Sequence, residues 1–168
     1  MYTRTLIRTA GLALTAAAFA GTQVAAGATH ARTVHISAQL KVTVSPPPIC
    51  HAGICAIHNS GTGRMTHFGR VTFTTAVTAD GNQPPCGPTS QWVPRIIRTI
   101  HTNKGNVVLH EAGLQCPQPG VGPRVDAVWA VDGTASTGIF AAAHGRGNDT
   151  AYPVQDTAAP HGTITLAP

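Results

Sequence analysis

Residues 34–44 read VHISAQLKVTV, an unbroken alternation of apolar and polar side chains. Successive side chains of a β-strand point to opposite faces of its sheet, so this period of two predicts a strand with one buried face. The apolar face holds every even-numbered position from Val34 to Val44. The sequence SPPP at 45–48 ends the strand, because proline cannot donate a hydrogen bond to a β-ladder.

The rest of the chain repeats this pattern at short intervals. Turn signals stand at 80–82 (DGN) and 103–105 (NKG), and the second of them predicts a hairpin. Charged residues make up only 10% of the chain, whereas it has 18 glycines and 13 prolines, a composition unlike that of surface helices. We therefore expect an all-β fold, a single small closed antiparallel barrel of about eight strands. The other predicted strands cover residues 56–58, 70–78, 95–102, 106–113, 125–132 and 162–166, while 139–143 fits either a strand or one helical turn.

The first 28 residues have the pattern of a secretory signal peptide. Arg4 and Arg8 give a positive start with no acidic residue, an apolar, alanine-rich run covers 12–20, and small residues follow. The apolar run is too weakly hydrophobic for a stable membrane anchor. We expect residues 1–28 to be a cleaved leader and the protein to be secreted and extracellular.

Cleavage is expected after Ala28, with Ala26 as the alternative, which leaves residues 29–168 as one secreted β-barrel domain. No stable membrane insertion is expected once the leader is removed. The remaining chain carries nine Lys and Arg and six Asp and Glu, and these charges are scattered without a basic run. Since nucleic-acid binding needs clustered cations with aromatic residues nearby, we expect no nucleic-acid partner.

The secreted domain contains four cysteines, Cys50, Cys55, Cys86 and Cys116. An even number in an exported chain predicts disulfides, and four cysteines allow three pairings. If 104–105 is the hairpin tip, Cys86 and Cys116 lie beyond the ends of neighbouring strands, so Cys86–Cys116 and Cys50–Cys55 are the preferred pairs. The competing hypothesis, a zinc site, is disfavoured because Cys-x4-Cys with one distant pair is poor zinc spacing.

Nine histidines raise the question of a metal site. His110 precedes Glu111, but no second histidine follows at the spacing of the helical zinc-protease motif. In the same hairpin register, Thr99 faces His110 and His101 is its diagonal neighbour, so two imidazoles share one sheet face. The favoured interpretation is two ordinary polar residues, and we expect no metal and no cofactor.

The same register places Arg98 opposite Glu111 on a face that is otherwise apolar. An isolated buried charge is costly, so two opposite charges on such a face must compensate each other. Such a pair can orient a ligand inside a barrel, and the alternative is a surface ion pair at a sheet edge. The apolar residues on this face are Ile96, Ile100, Val107 and Leu109.

Residues 61–73 read GTGRMTHFGRVTF and are interpreted as barrel wall, because an anion-binding loop needs a helix start that is not predicted here. Arg64 and Arg70 are expected to face outward. His67 has the same parity as the apolar residues of this stretch, so it is expected to point inward. The candidate ligand-binding residues of the lumen are therefore His67, Arg98 and Glu111.

Three glycine-and-turn motifs resemble those of the secreted calycin-like barrels of the allene oxide cyclase and dirigent group. They are THFGR at 66–70, TNKGN at 102–106 and TGIFAAAHGRG at 137–147, where bacterial members read THLGR, TANGD and GTGRFAGATGSG. The resemblance covers residues 34–166 and implies a calycin-like barrel. Ile139 and Ala142 depart from the pattern, and no residue used by the plant cyclases for catalysis matches this chain, so the resemblance leaves activity open.

These observations favour a non-catalytic extracellular module that binds a small apolar ligand in the barrel or acts at the cell surface. The alternative is an allene oxide cyclase-like or dirigent-like isomerase or cyclase that acts in the lumen. A third hypothesis is a protease inhibitor that presents residues 46–55 as a rigid loop. Hydrolase, phosphate-loop and dinucleotide motifs are not found, so no catalytic residue is assigned. The ligand and the oligomeric state are left open.

Overall fold

The computed structural model describes residues 30–82 and 84–168. The predicted signal peptide and both of its candidate cleavage sites lie outside the described residues.

Within these residues, ten strands form one antiparallel sheet that closes into a barrel. Strand β1 closes it by pairing with β10 along its first half and with β3 along its second half. Strands β2 and β9 are short additions, so eight strands make the wall, and the predicted all-β barrel is confirmed. The strands are β1 Arg32–Val44, β2 Ile49–His51, β3 Ile54–Met65, β4 Gly69–Asp80, β5 Gln91–Thr102, β6 Gly105–Gln118, β7 Gly122–Val131, β8 His144–Tyr152, β9 Thr157–Ala158 and β10 His161–Leu166.

In β1 the alternation of apolar and polar residues in the sequence matches an alternation of buried and exposed side chains. Its even-numbered residues Val34, Ile36, Ala38 and Leu40 are buried, and the residues between them are exposed. The short predicted strand at 56–58 is part of the longer β3. The apolar run at 139–143, which fitted either a strand or a helical turn, begins as a 3₁₀ turn at Gly138–Phe140.

Aromatic side chains fill the end of the barrel where β3, β5 and β7 finish, called here the closed end. Phe140 is fully buried there and lies against Phe68, with ring centroids 5.1 Å apart. The indole of Trp129 packs on the backbone of β8 and β10, where a Cβ atom at Gly147 or Gly162 would overlap the ring. Glycine at these two positions therefore makes room for the largest side chain of the core.

The opposite end, where β1, β4, β6 and β8 finish, is called here the mouth end. Both disulfides lie at this end, and they join Cys50 to Cys55 and Cys86 to Cys116, which confirms the preferred pairing. Cys50 and Cys55 are direct partners in the β2–β3 hairpin, whose turn has positive φ at both Ala52 and Gly53. This segment is thus a tight hairpin closed by a disulfide.

Candidate functional site

The mouth half of the barrel contains a cavity in its lumen that is partly open to solvent. The cavity has a volume of about 190 Å³ and a mostly apolar wall. Phe73 on β4 and Arg98 on β5 line its inner end, while Ser45 and Gln115 line it nearer the mouth. A wider depression of about 950 Å³ lies on the outer wall around Val128, but it is open to solvent and does not enclose a small molecule.

Arg98 and Glu111 meet inside the barrel, although the predicted register of their hairpin was wrong by two residues. The β5–β6 turn pairs Thr102 with Gly105, so Arg98 lies opposite Leu109 and Glu111 lies opposite Ile96. A shift of two residues keeps every side chain on its face of the sheet. The two side chains are therefore diagonal neighbours, with Arg98 Nη2 donating to Glu111 Oε2 at 3.2 Å.

Asp149 on β8 is a third member of this buried cluster, and the sequence analysis missed it. Arg98 Nη2 donates to Asp149 Oδ2 at 2.6 Å, and the backbone N–H of Ala159 donates to Asp149 Oδ1 at 3.1 Å. Exposed fractions are 3% for Arg98, 3% for Glu111 and 2% for Asp149. A single guanidinium thus faces two carboxyl groups with almost no access to water. The charged triad is defined here as Arg98, Glu111 and Asp149.

Burial decides the protonation of the charged triad. Loss of water raises the pKa of Glu111 to about 8; the charge of Arg98 opposes this rise and that of Asp149 adds to it. Burial alone lowers the pKa of Arg98, but the attraction of Glu111 and Asp149 outweighs it, and the net shift is upward. At neutral pH Glu111 therefore holds a proton, and the charges of Arg98 and Asp149 compensate each other.

The raised pKa of Glu111 predicts that the protein loses stability as pH rises. The folded-state pKa of about 8 lies above the ordinary value of 4.5, so the folded state holds the proton more tightly than the unfolded state. This contribution is complete below the ordinary pKa and is lost as pH rises through the folded-state pKa. Urea unfolding across this pH window should show a steeper loss of stability in the wild type than in Glu111→Gln. Equal slopes in the two proteins would contradict the assignment.

Two nitrogens of Arg98 are left without a hydrogen-bond partner. Nε lies 2.9 Å from Glu111 Oε1 but is not aligned with it as a hydrogen bond. Nη1 is buried, and no polar atom of residues 30–82 and 84–168 accepts a hydrogen bond from it. Arg98 is one of the residues that line the cavity, so a bound molecule that reached Nη1 would give this donor an acceptor.

His67 does not join Arg98 and Glu111, and its expected inward orientation is wrong. It lies exposed in the turn between β3 and β4, with a backbone φ of 67°, at the closed end. The next residue, Phe68, takes the buried position. The prediction assumed that the alternation of inward and outward side chains continues from Met65 to Val71, but the turn between these residues interrupts it. Arg64 and Arg70 are exposed, as expected for barrel wall.

The histidines on the outer wall have separate polar partners. His101 Nδ1 lies 3.0 Å from Asn106 Oδ1, and His110 Nε2 lies 3.4 Å from Asp132 Oδ2. The expected pairing of Thr99 with His110 is wrong by the same two-residue shift, since His110 lies opposite Ile97. Across the part of the chain that the structure describes, no three His, Cys, Asp or Glu side chains come together as metal ligands.

The helices among the described residues are single 3₁₀ turns, and none is long and apolar enough to span a bilayer.

No model of a known protein family matches the chain, and no curated protein is significantly similar to it in sequence. Among solved structures, a protein with unknown function from Clostridium acetobutylicum ATCC 824 is similar to it. The match has a TM-score of 0.49 and 8% sequence identity, and it covers 82% of this chain and 98% of that one.

Proposed function

We propose that this protein is a secreted barrel that binds a small, mostly apolar molecule in the mouth half of its lumen. The observation that carries the proposal is Arg98 Nη1, a buried donor without a protein partner on a side chain that lines the lumen cavity. A buried polar group left without a hydrogen bond costs about 1–3 kcal/mol. A ligand that accepts a hydrogen bond from Nη1 recovers this free energy, whereas a pure hydrocarbon does not.

The volume and charge of the site narrow the ligand class. The cavity measures about 190 Å³, and an apolar cavity of roughly 150 Å³ accepts benzene. The ligand is therefore a single ring or a short chain of about ten non-hydrogen atoms. Because the charged triad is neutral overall when Glu111 holds its proton, it favours a neutral acceptor such as a carbonyl oxygen over a carboxylate.

Export fits this role. The two disulfides are of the kind that persists in oxidising compartments, and residues 1–28 have the pattern of a signal peptide. The resemblance to calycin-like barrels, a group related to allene oxide cyclases and dirigent proteins, supports a lumen that receives a small molecule. An extracellular binding module is the function that accounts for these features together.

Titration with acetophenone and ethylbenzene tests the proposal, because the two molecules have a similar size and only the ketone has an acceptor. We expect acetophenone to bind at least about tenfold more tightly, since a hydrogen bond to a charged group contributes roughly 1.5–3 kcal/mol. Isothermal calorimetry or chemical-shift titration of the exported protein measures both affinities. Similar affinities for the two molecules would show that Arg98 does not donate a hydrogen bond to the bound ligand.

Two alanines give the matched variants for this titration. Ala151 lines the cavity, so Ala151→Phe fills the lumen and should abolish binding of both molecules. Ala130 lies exposed on the outer wall, so Ala130→Phe should leave both affinities unchanged. If the wild type binds neither molecule, or if Ala151→Phe binds as well as Ala130→Phe, lumen binding is refuted.

A lumen isomerase or cyclase is the second candidate function. It is favoured by Glu111, a potential acid because its pKa is raised, which accepts a hydrogen bond from Arg98 in the cavity wall. In that case a substrate incubated with the wild type would be recovered as an isomer, and Glu111→Gln would return it unchanged. If the protein is only a binding module, the substrate is recovered unchanged from both the wild type and Glu111→Gln.

A further inference from the structure

Exposed apolar side chains collect around the mouth of the lumen. Within residues 30–82 and 84–168, eight large apolar side chains are highly exposed, and six of them lie at the mouth end. Their exposed fractions range from 44% for Trp92 to 75% for Ile49. The mouth rim is defined here as these six residues, Val44, Ile49, Ile54, Trp92, Val121 and Val154.

The antiparallel topology brings the mouth rim together. Val44 ends β1, Ile54 begins β3, and Trp92 is the second residue of β5. Val121 lies in the β6–β7 turn, and Val154 lies in the 3₁₀ turn that follows β8. Because alternate strands of an antiparallel barrel end on the same side, these positions surround one opening. The Cys50–Cys55 disulfide joins the segments that carry Ile49 and Ile54.

Three loops at the mouth end carry no charged side chain. Residues 45–53, 84–90 and 117–122 contain no Asp, Glu, Lys or Arg. The turns of the closed end differ, since Arg64, Arg70 and Lys104 lie there and are exposed. Outside these three loops the mouth end carries charges of both signs, namely Lys41, Asp80, Asp156 and the Arg124–Asp126 ion pair, so its net charge is small, whereas the closed end is cationic.

A surface of this kind is suited to an uncharged lipid surface. Each large apolar side chain removed from water contributes roughly 1.5–3 kcal/mol, and soluble proteins seldom expose such side chains as one patch without a partner. The three loops without charged side chains incur no desolvation penalty for ions on entering a lipid headgroup region, and the near balance of charge elsewhere at this end gives no preference for anionic lipid. The opening of the lumen lies within the same surface, so an apolar molecule can pass between the lipid and the cavity.

We propose that the mouth rim docks on the surface of zwitterionic phospholipid bilayers, inserting its side chains into the interface without crossing it. This docking depends on the rim alone and holds whether or not the lumen binds a ligand. The cationic end points away from the membrane in the docked state. Interfacial helices show the same physics, in which buried apolar area supplies the binding free energy.

Trp92 makes the docking directly observable. The chain has two tryptophans, and Trp129 is only 3% exposed, so a change in emission on adding lipid reports on Trp92. With phosphatidylcholine vesicles and protein recovered from culture medium, we expect a blue shift of the emission and flotation of the protein with the vesicles. The double variant Ile49→Ser/Val154→Ser should bind at least about tenfold more weakly.

Val128→Ser is the matched control, because Val128 is 63% exposed but lies on the outer wall. It should bind vesicles as the wild type does, and all variants should unfold at the same urea concentration.

The proposal is overturned if the wild type does not bind phosphatidylcholine, or if the double variant binds as tightly as the wild type. It is also overturned if binding is confined to anionic vesicles and lost at about 0.5 M salt, which would assign docking to the cationic end. A dimer in solution that the double variant dissociates, without vesicle binding, would make the rim an interface between copies.

Discussion

Replacing Arg98 with methionine is expected to destabilise the folded protein by about 3–5 kcal/mol at neutral pH. Methionine fills a similar space but removes the only cation of the charged triad, so Asp149 is left as a buried, uncompensated charge. Urea unfolding of Arg98→Met and of the wild type at neutral pH measures the loss.

Two further variants separate loss of charge compensation from loss of packing. Arg124 forms an exposed ion pair with Asp126, so Arg124→Met should cost no more than about 1 kcal/mol. Adding Glu111→Leu and Asp149→Asn to Arg98→Met removes the uncompensated charge, while the introduced amide oxygen still accepts from the backbone N–H of Ala159. This triple variant should recover most of the lost stability. A cost below about 1 kcal/mol for Arg98→Met alone would mean that the triad is not buried as described.

Replacing Phe140 with alanine is the second change with a large expected effect, about 3–5 kcal/mol. Phe140 is fully buried and packs against Phe68 at the closed end, so its removal leaves a cavity that the rigid barrel wall cannot fill. Thermal or urea unfolding measures the loss. The affinity for acetophenone should be unchanged in the folded fraction, because the closed end does not line the ligand cavity.

The neighbouring residue gives the control for this change. Ile139 belongs to the same 3₁₀ turn but is 39% exposed, so Ile139→Ala should cost less than about 1 kcal/mol. If Phe140→Ala and Ile139→Ala cost the same, the turn does not close the barrel. If Phe140→Ala also loses acetophenone binding, the two halves of the lumen are not independent.

The strands were predictable where apolar residues alternate, as in β1, because burial of one face imposes that period. Strand β8 was not predictable in this way. Its inward positions include Gly145 and Gly147, and Gly147 is explained only by close contacts with neighbouring strands, to the backbone carbonyl of His161 and the indole of Trp129. Asp149 was therefore hidden in a strand without an apolar pattern.

The candidate site was predictable in part. Arg98 and Glu111 were placed on one face of a hairpin, and a register error of two residues did not change that face. His67 was misplaced because a tight turn interrupts the period that was extended through it. The cavity could not be predicted from local sequence patterns, because it depends on which side chains from strands far apart in sequence lie at the same height along the barrel axis.

A crystal structure of the protein soaked with acetophenone tests the central claim most directly. The proposal predicts the ketone in the mouth half of the lumen, with its oxygen about 3 Å from Arg98 Nη1. A ketone found only outside the lumen, or an Arg98 Nη1 already bonded to a protein side chain, would contradict the proposal.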